Sequence, residues 1–265
     1  MMELRAAPFD ELAAEYDDVF TATALGQAVR AIAWKRFHTA FAARERLLEI
    51  GCGTGEDAVH LAQRGHRVLA TDASPQMLRV AALKAERAGC ADRVQFVCMP
   101  MDSLGAGLAG EKFDGIYSNF GAINCTQRID RLAAELAPLV PPGAPLALVA
   151  MGRYVPWEWA WYLARGAGRK AFRRLNRDGV EWRGIHVSYP SPRMLADALR
   201  PHFVAQRASA LGFALPPSYA AGWLDHSPRM LAALTRVEHA VHRWTALAAF
   251  ADHYYLQATR GSSDE

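Results

Sequence analysis

The 265-residue sequence has only four cysteines, Cys52, Cys90, Cys98 and Cys125, and no C-x-x-C pair among them. Such spacing builds neither a disulfide framework nor a zinc site, so reduced thiols in a reducing compartment are expected. No apolar run approaches the roughly 18 residues of a membrane span, and the opening MMELRAAPFDEL is polar and acidic where a secretory leader would be basic and then apolar. A cytoplasmic protein with no transmembrane segment is the expectation. Strong charge is missing as well: a net +3 and a pI near 8.7 are too slight to argue for nucleic acid by themselves. There are no internal repeats or low-complexity tracts. With 51% hydrophobic and 22% charged residues, the chain fits one α/β domain large enough to bury a core.

What is present is organised around Arg46 to Asp72. Leu47, Leu48 and Ile50 form a short apolar run that stops at Gly51, Gly53 and Gly55. Ala58, Leu61 and Ala62 then recur at helical spacing up to Gly65, and a second run, Val68 to Ala70, ends on Asp72. This is a strand, a glycine turn, a crossover helix and a second strand. The glycines let the backbone turn sharply against a ligand, and an acid about 20 residues on is placed for the two hydroxyls of an adenosyl ribose. A dinucleotide fingerprint needs a further glycine at position 56, where the chain has Glu56 followed by Asp57. Carboxylates in that first helical turn would repel a pyrophosphate. S-adenosylmethionine (SAM) has no phosphate and carries a sulfonium cation, so acids there are compatible with it.

The motif LEIGCGTG followed by TDAS resembles the first two motifs of the class I SAM-dependent methyltransferases. The resemblance implies that Gly51, Gly53 and Gly55 lie against the methionine and adenosyl parts of SAM, Asp72 holds the ribose, and the product is S-adenosylhomocysteine. It carries the third-motif role, the adenine amine, to Asp102, with Ser103 beside it. It places Asn119, Phe120 and Gly121 at the methionine moiety, Asn124 toward the substrate, and Tyr16 of a Tyr-Asp pair over the methionine end. Met77 is a further candidate for adenine contact or a core residue.

The remaining segments follow the same order of elements. Residues 1–43 form an N-terminal helical cover, with apolar spacing at Leu12, Tyr16, Val19 and Phe20, then Val29, Ile32, Phe37 and Phe41. Ser74-Pro75 and Ser191-Pro192 are helix starts. Strands are expected near Val94–Met99, Phe113–Ser118, in PLALVAMG, in VAQRASALGF and in ADHYYLQATR. The order of elements is α/β, and the resemblance implies its architecture: a doubly wound, seven-stranded, mostly parallel sheet with an antiparallel last strand, N-terminal helices and helical cap inserts. A SAM-binding core at 44–151 precedes substrate-cap inserts at 152–185 and 214–250.

The first insert holds a tryptophan cluster, in which Trp157 and Trp161 are candidate walls of an acceptor pocket, and a basic run of Arg165, Arg169, Lys170, Arg173, Arg174 and Arg177. Methyl transfer needs alignment and exclusion of water, and a base only when the nucleophile starts protonated. His186 with Tyr189 are the first candidates for such a base, then His253. No N-P-P-Y stretch follows the fourth strand and no metal-ligand spacing stands out among nine histidines, so neither base-amine chemistry nor a bound metal is expected. The expected acceptor is a small, apolar or aromatic molecule methylated on O or N. The alternatives are a nucleic-acid or other macromolecular methyltransferase using the 165–177 run, a non-catalytic SAM-binding protein, and weak peripheral contact with a membrane.

Overall fold

In the computed structural model, which describes residues 9–241 and 244–262, the chain builds nine strands and nine α-helices. They are α1 (Ala24–Ala40), β1 (Arg46–Ile50), α2 (Glu56–Ala62), β2 (Arg67–Asp72), α3 (Pro75–Arg87), β3 (Val94–Cys98), α4 (Leu104–Gly107), β4 (Gly115–Ser118) and α5 (Ile129–Leu136). There follow β5 (Pro145–Met151), α6 (Pro156–Leu163), α7 (Gly168–Ala171), β6 (Val180–Trp182), β7 (Ile185–Val187), α8 (Pro192–Leu199), β8 (Phe203–Leu211), α9 (Pro228–Val241) and β9 (His253–Arg260). Seven strands form one sheet in the order β3-β2-β1-β4-β5-β9-β8. The first four pairings are parallel and β9 runs antiparallel between β5 and β8, as the resemblance implies.

Alternation along each strand builds a core on both faces. Leu47, Val68, Tyr117, Ala147, Val149 and Tyr255 point to the side covered by α1 and α2. Leu48, Ile50, Leu69, Ile116, Leu148 and Tyr254 point to the other, under α5 and α8. Both serine starts are capped: Ser74 Oγ accepts from Met77 N at 3.1 Å and Ser191 Oγ from Met194 N at 3.3 Å, each with proline at the first helical position. All four cysteines are free thiols.

Three expectations are corrected. Val19 leaves the predicted apolar stripe, at 62% exposed, because Asp17–Thr21 winds as a π-helical turn and shifts the register of that face. The inserts are not wholly helical: the first ends in a β-hairpin, β6–β7, turned by Arg183 and Gly184 at φ +48° and +76°. The second insert packs α9 on α1 and β8, where the buried Glu238 accepts from Gly212 N and Ala214 N at 2.9 and 2.8 Å. It is thus committed to the flank of the sheet.

Candidate active site

At the carboxyl end of the sheet, beside the β1–α2 turn, lies a cavity of about 640 Å³. The wall at the glycine turn is built by three backbone devices. Gly51 turns at φ +68°, where a Cβ would stand 2.3 Å from Ala122 Cβ. Gly53, at φ +51°, has no atom within 4 Å of a Cβ position, so its bare backbone faces open space. Asp72, at the end of β2, receives Gly53 N on Oδ2 and Ser74 N on Oδ1, both at 2.9 Å, which fixes the carboxylate while leaving a lone pair on each oxygen. Burial raises the Asp72 pKa, and the backbone donors partly oppose that.

Beside the glycine turn lies a polar network that sequence spacing did not reveal. Asp57 Oδ2 accepts from Arg30 Nη1 at 2.6 Å and from Asn119 Nδ2 at 3.0 Å, and its Oδ1 accepts from Trp34 Nε1 at 2.6 Å. The Arg30 guanidinium lies over Phe120 and Phe20, with 4.8 and 5.7 Å to the ring centroids. Burial works against its charge, but Asp57 outweighs burial and the Arg30 pKa is raised. Arg30 Nε is buried with no hydrogen-bond partner among the described residues, an orphan donor in a residue that lines the cavity. Phe120 itself sits at φ +46°, a strained position for a side-chain-bearing residue, between Asn119 and Gly121. The two carboxylates at the start of α2 are not bare: Glu56 pairs with Lys84 at 2.8 Å and Asp57 with Arg30. Their repulsion of a phosphate is therefore weaker than the sequence suggests.

Of the residues singled out from the sequence, Tyr16, Gly51, Gly53, Asp72, Met77, Asp102, Asn119, Gly121 and Tyr189 line this one cavity. Burial raises the Tyr16 phenol. Gly55 does not line it: a Cβ there would meet Ala81 Cβ at 2.7 Å, so this glycine lets α2 approach α3. Ser103 is exposed on the neighbouring turn and also falls outside. Asn124, expected at the substrate, is fully buried and spends its amide on structure, donating to Ser188 O at 2.7 Å and accepting from Met151 N at 2.8 Å.

The expected tryptophan cap is displaced as well. Trp157 Nε1 donates to Phe213 O at 3.1 Å, Trp161 is covered by Arg165 at 3.3 Å, and neither lines the cavity. Their place is taken by the hairpin, which contributes Val180, Glu181, Trp182, Ile185 and Val187 opposite the glycine turn, with Phe9 meeting Trp182 at 5.6 Å. No described residue of the second insert reaches the cavity. The alternation V-E-W and I-H-V around an Arg-Gly dipeptide is the signal that marks such a hairpin in a sequence.

The two base candidates separate. His186 Nδ1 lies 3.0 Å from Glu181 Oε1, and its Nε2 packs on Gly179, where a Cβ would stand only 2.7 Å away, so the ring is spent inside the hairpin. Tyr189 remains in the wall under the Arg174 guanidinium, 5.3 Å from its ring centroid. Burial raises its phenol, against the pull of Arg174 and Arg173. His253 pairs with Asp252 at 3.0 Å and meets only the edge of Phe120. Among the described residues no group of three or more potential metal ligands occurs.

A family model described as a methyltransferase domain matches residues 47–143. The chain is 34% identical over 99 residues to the tRNA 5-carboxymethoxyuridine methyltransferase of Escherichia coli, covering 36% of this chain and 38% of that protein. It is 32% identical over 208 residues to a ubiquinone/menaquinone biosynthesis C-methyltransferase of Acidiphilium cryptum, covering 72% of this chain and 79% of that one. Among solved structures it is similar to the CcbJ methyltransferase of Streptomyces caelestis, with a TM-score of 0.62 at 15% identity, covering 97% of this chain and 99% of that one. The chain thus spans little over a third of the tRNA enzyme, and the solved structure shares its fold.

Proposed function

The chain belongs to the class I SAM-dependent methyltransferases, and on that premise we propose that it transfers a methyl group from SAM to a small, apolar or aromatic organic molecule. The observation that carries this reading is the cavity itself, in which the glycine turn and Asp72 form one wall and the hairpin side chains Trp182, Ile185 and Val187 form the facing wall. The residues fit the cofactor. Open space at Gly53 suits a ligand lying on the backbone, Asp72 has acceptor capacity for ribose hydroxyls, and the orphan Arg30 Nε suits a carboxylate such as that of the methionine moiety.

When bound, SAM supplies an electrophilic methyl group on sulfur. The chain's own part is alignment and exclusion of water. Phe120 and Gly121, just after β4, line the cavity, as do Phe9 and Trp182, whose rings meet at 5.6 Å. Tyr189 is the residue we assign to orienting the acceptor, because it lines the cavity and His186 does not. The acceptor atom is an oxygen or nitrogen in this reading. The likeness to a C-methyltransferase admits carbon.

A macromolecular acceptor is supported by likeness to a tRNA methyltransferase, but two cations of the basic run, Arg173 and Arg174, turn inward onto Glu158. Calorimetry with SAM followed by a turnover assay, reading S-adenosylhomocysteine against quinols, phenols and tRNA, tests the proposal. Asp72→Ala should weaken SAM binding by about 1–3 kcal/mol through lost charge-assisted hydrogen bonds. Equal binding by the variant overturns the ribose assignment, and turnover of tRNA alone overturns the acceptor class.

A further inference from the structure

We propose that the α6–α7 segment is a docking surface for an anionic lipid bilayer, with Leu163 and Phe172 entering the interface among Arg165, Arg169, Lys170 and Arg177. The inference goes beyond methyl transfer and holds whatever the acceptor is.

It begins with a charge imbalance that the fold creates. Glu158 is the only acid between Val155 and Arg177, and it is fully buried. Its carboxylate accepts from Arg173 Nε and Arg174 Nε, each at 2.8 Å, and from Tyr219 Oη at 2.6 Å. Arg174 is further tied to Asp252 Oδ1 at 2.8 Å. Of the six cations from Arg165 to Arg177, these two are consumed inside. The other four, Arg165, Arg169, Lys170 and Arg177, are exposed and form no ion pair with any described residue. The segment therefore shows water a positive strip with no carboxylate of its own.

Within that strip lie two exposed apolar side chains, Leu163 at 50% and Phe172 at 46%. Trp159 and Leu163 are one helical turn apart on α6, and the Phe172 ring lies 6.0 Å from that of Trp159. The two apolar residues thus border one strip. Apolar side chains among Lys and Arg are what an interfacial segment presents to an anionic membrane.

The same strip is poorly made for other partners. Nucleic acid would require free aromatic faces, but Trp161 is stacked under Arg165 and Tyr162 on Tyr219. A two-fold dimer through this face would set the positive strip against itself.

The test is co-sedimentation of the full chain with vesicles of phosphatidylcholine alone and of phosphatidylcholine mixed with phosphatidylglycerol, at low and high salt. Binding should appear only on the anionic vesicles and weaken with salt. Each cation near such a surface strengthens binding roughly fivefold, so R169E/K170E should lower the partition coefficient by roughly 25-fold or more. L163S/F172S should lower it at both salt concentrations. Both variants should keep the wild-type unfolding midpoint and SAM affinity, which separates surface effects from misfolding and from failure of the cofactor site. Equal partitioning to neutral vesicles, wild-type partitioning by R169E/K170E, or displacement from anionic vesicles by tRNA or by an acidic protein would overturn the proposal.

Discussion

Beside the glycine turn, Asp57 gathers Arg30, Trp34 and Asn119; in the first insert, Glu158 gathers Arg173, Arg174 and Tyr219. Both are buried carboxylates with three donors, but they serve different ends. The first leaves an unpartnered guanidinium nitrogen in a residue of the cavity wall, so its charge remains available to a ligand. The second is closed on itself and fastens the first insert to the start of β9 through Asp252. A buried ion pair is by itself no sign of a binding site. What separates the two is whether a residue of the cavity wall is left with a buried polar atom that has no partner.

The comparison can be broken most sharply by removing each carboxylate. Asp57→Ala strands Arg30 without its partner and should cost about 3–5 kcal/mol in urea unfolding, with SAM affinity falling in calorimetry. Glu158→Ala should cost about 3 kcal/mol, the lower end of that range because Arg174 keeps Asp252, and should leave SAM affinity unchanged. Loss of cofactor affinity in the second variant would erase the distinction.

The glycines sharpen it at a smaller scale. Gly51→Ala forces a Cβ into Ala122 and into left-handed backbone, and should destabilise by about 2–4 kcal/mol. Gly53→Ala meets no protein atom and should cost only about 1–2 kcal/mol in stability, while its methyl group intrudes on the bound cofactor and lowers affinity. If the two variants lose stability and affinity in the same proportion, the division between a packing glycine and a ligand glycine fails.

The two ends also differ in pH response. His60, stacked on Trp34 beside the Asp57 network, has its pKa lowered to about 4 by burial and by His38 and Arg64. The unfolded chain takes up this proton first, near 6.5, so the stability is complete above that pH and lost as pH falls toward 4. Discounted for the partly exposed ring, this is about 1 kcal/mol, and His60→Gln should flatten that part of a urea-midpoint profile. Burial alone would raise Asp252, but Arg174 and His253 overcome it and hold its pKa below the ordinary carboxylate range. Its contribution is therefore complete above its unfolded value of 3.8 and lost only below that pH.

Those differences track what could be read in advance. The wall at the glycine turn was legible because its parts are local: a strand, a turn and an acid within Arg46–Asp72 fix one another through backbone geometry. Even there, Gly55 looked like a ligand glycine and serves the approach of α2 to α3, because a positive φ does not say what lies beyond the missing Cβ. The other side of the cavity was misread. Aromatic content pointed to Trp157 and Trp161, yet each has a partner elsewhere, and Val180–Val187, with less aromatic content, carries the wall because a short hairpin can reach across the cavity.

The sequence by itself determined the strands, the turns and the position of Asp72, since strand alternation, glycine turns and proline starts act over a few residues; the antiparallel last strand was only what the family resemblance implies. Only tertiary structure decided that Arg30 would join the cavity wall, that Asn124 would be spent on Met151 and Ser188, and that Glu158 would draw two arginines inward and leave four outside. Those outcomes depend on which side chains far apart in the chain are brought together during burial. A buried charge must find a partner wherever the fold supplies one.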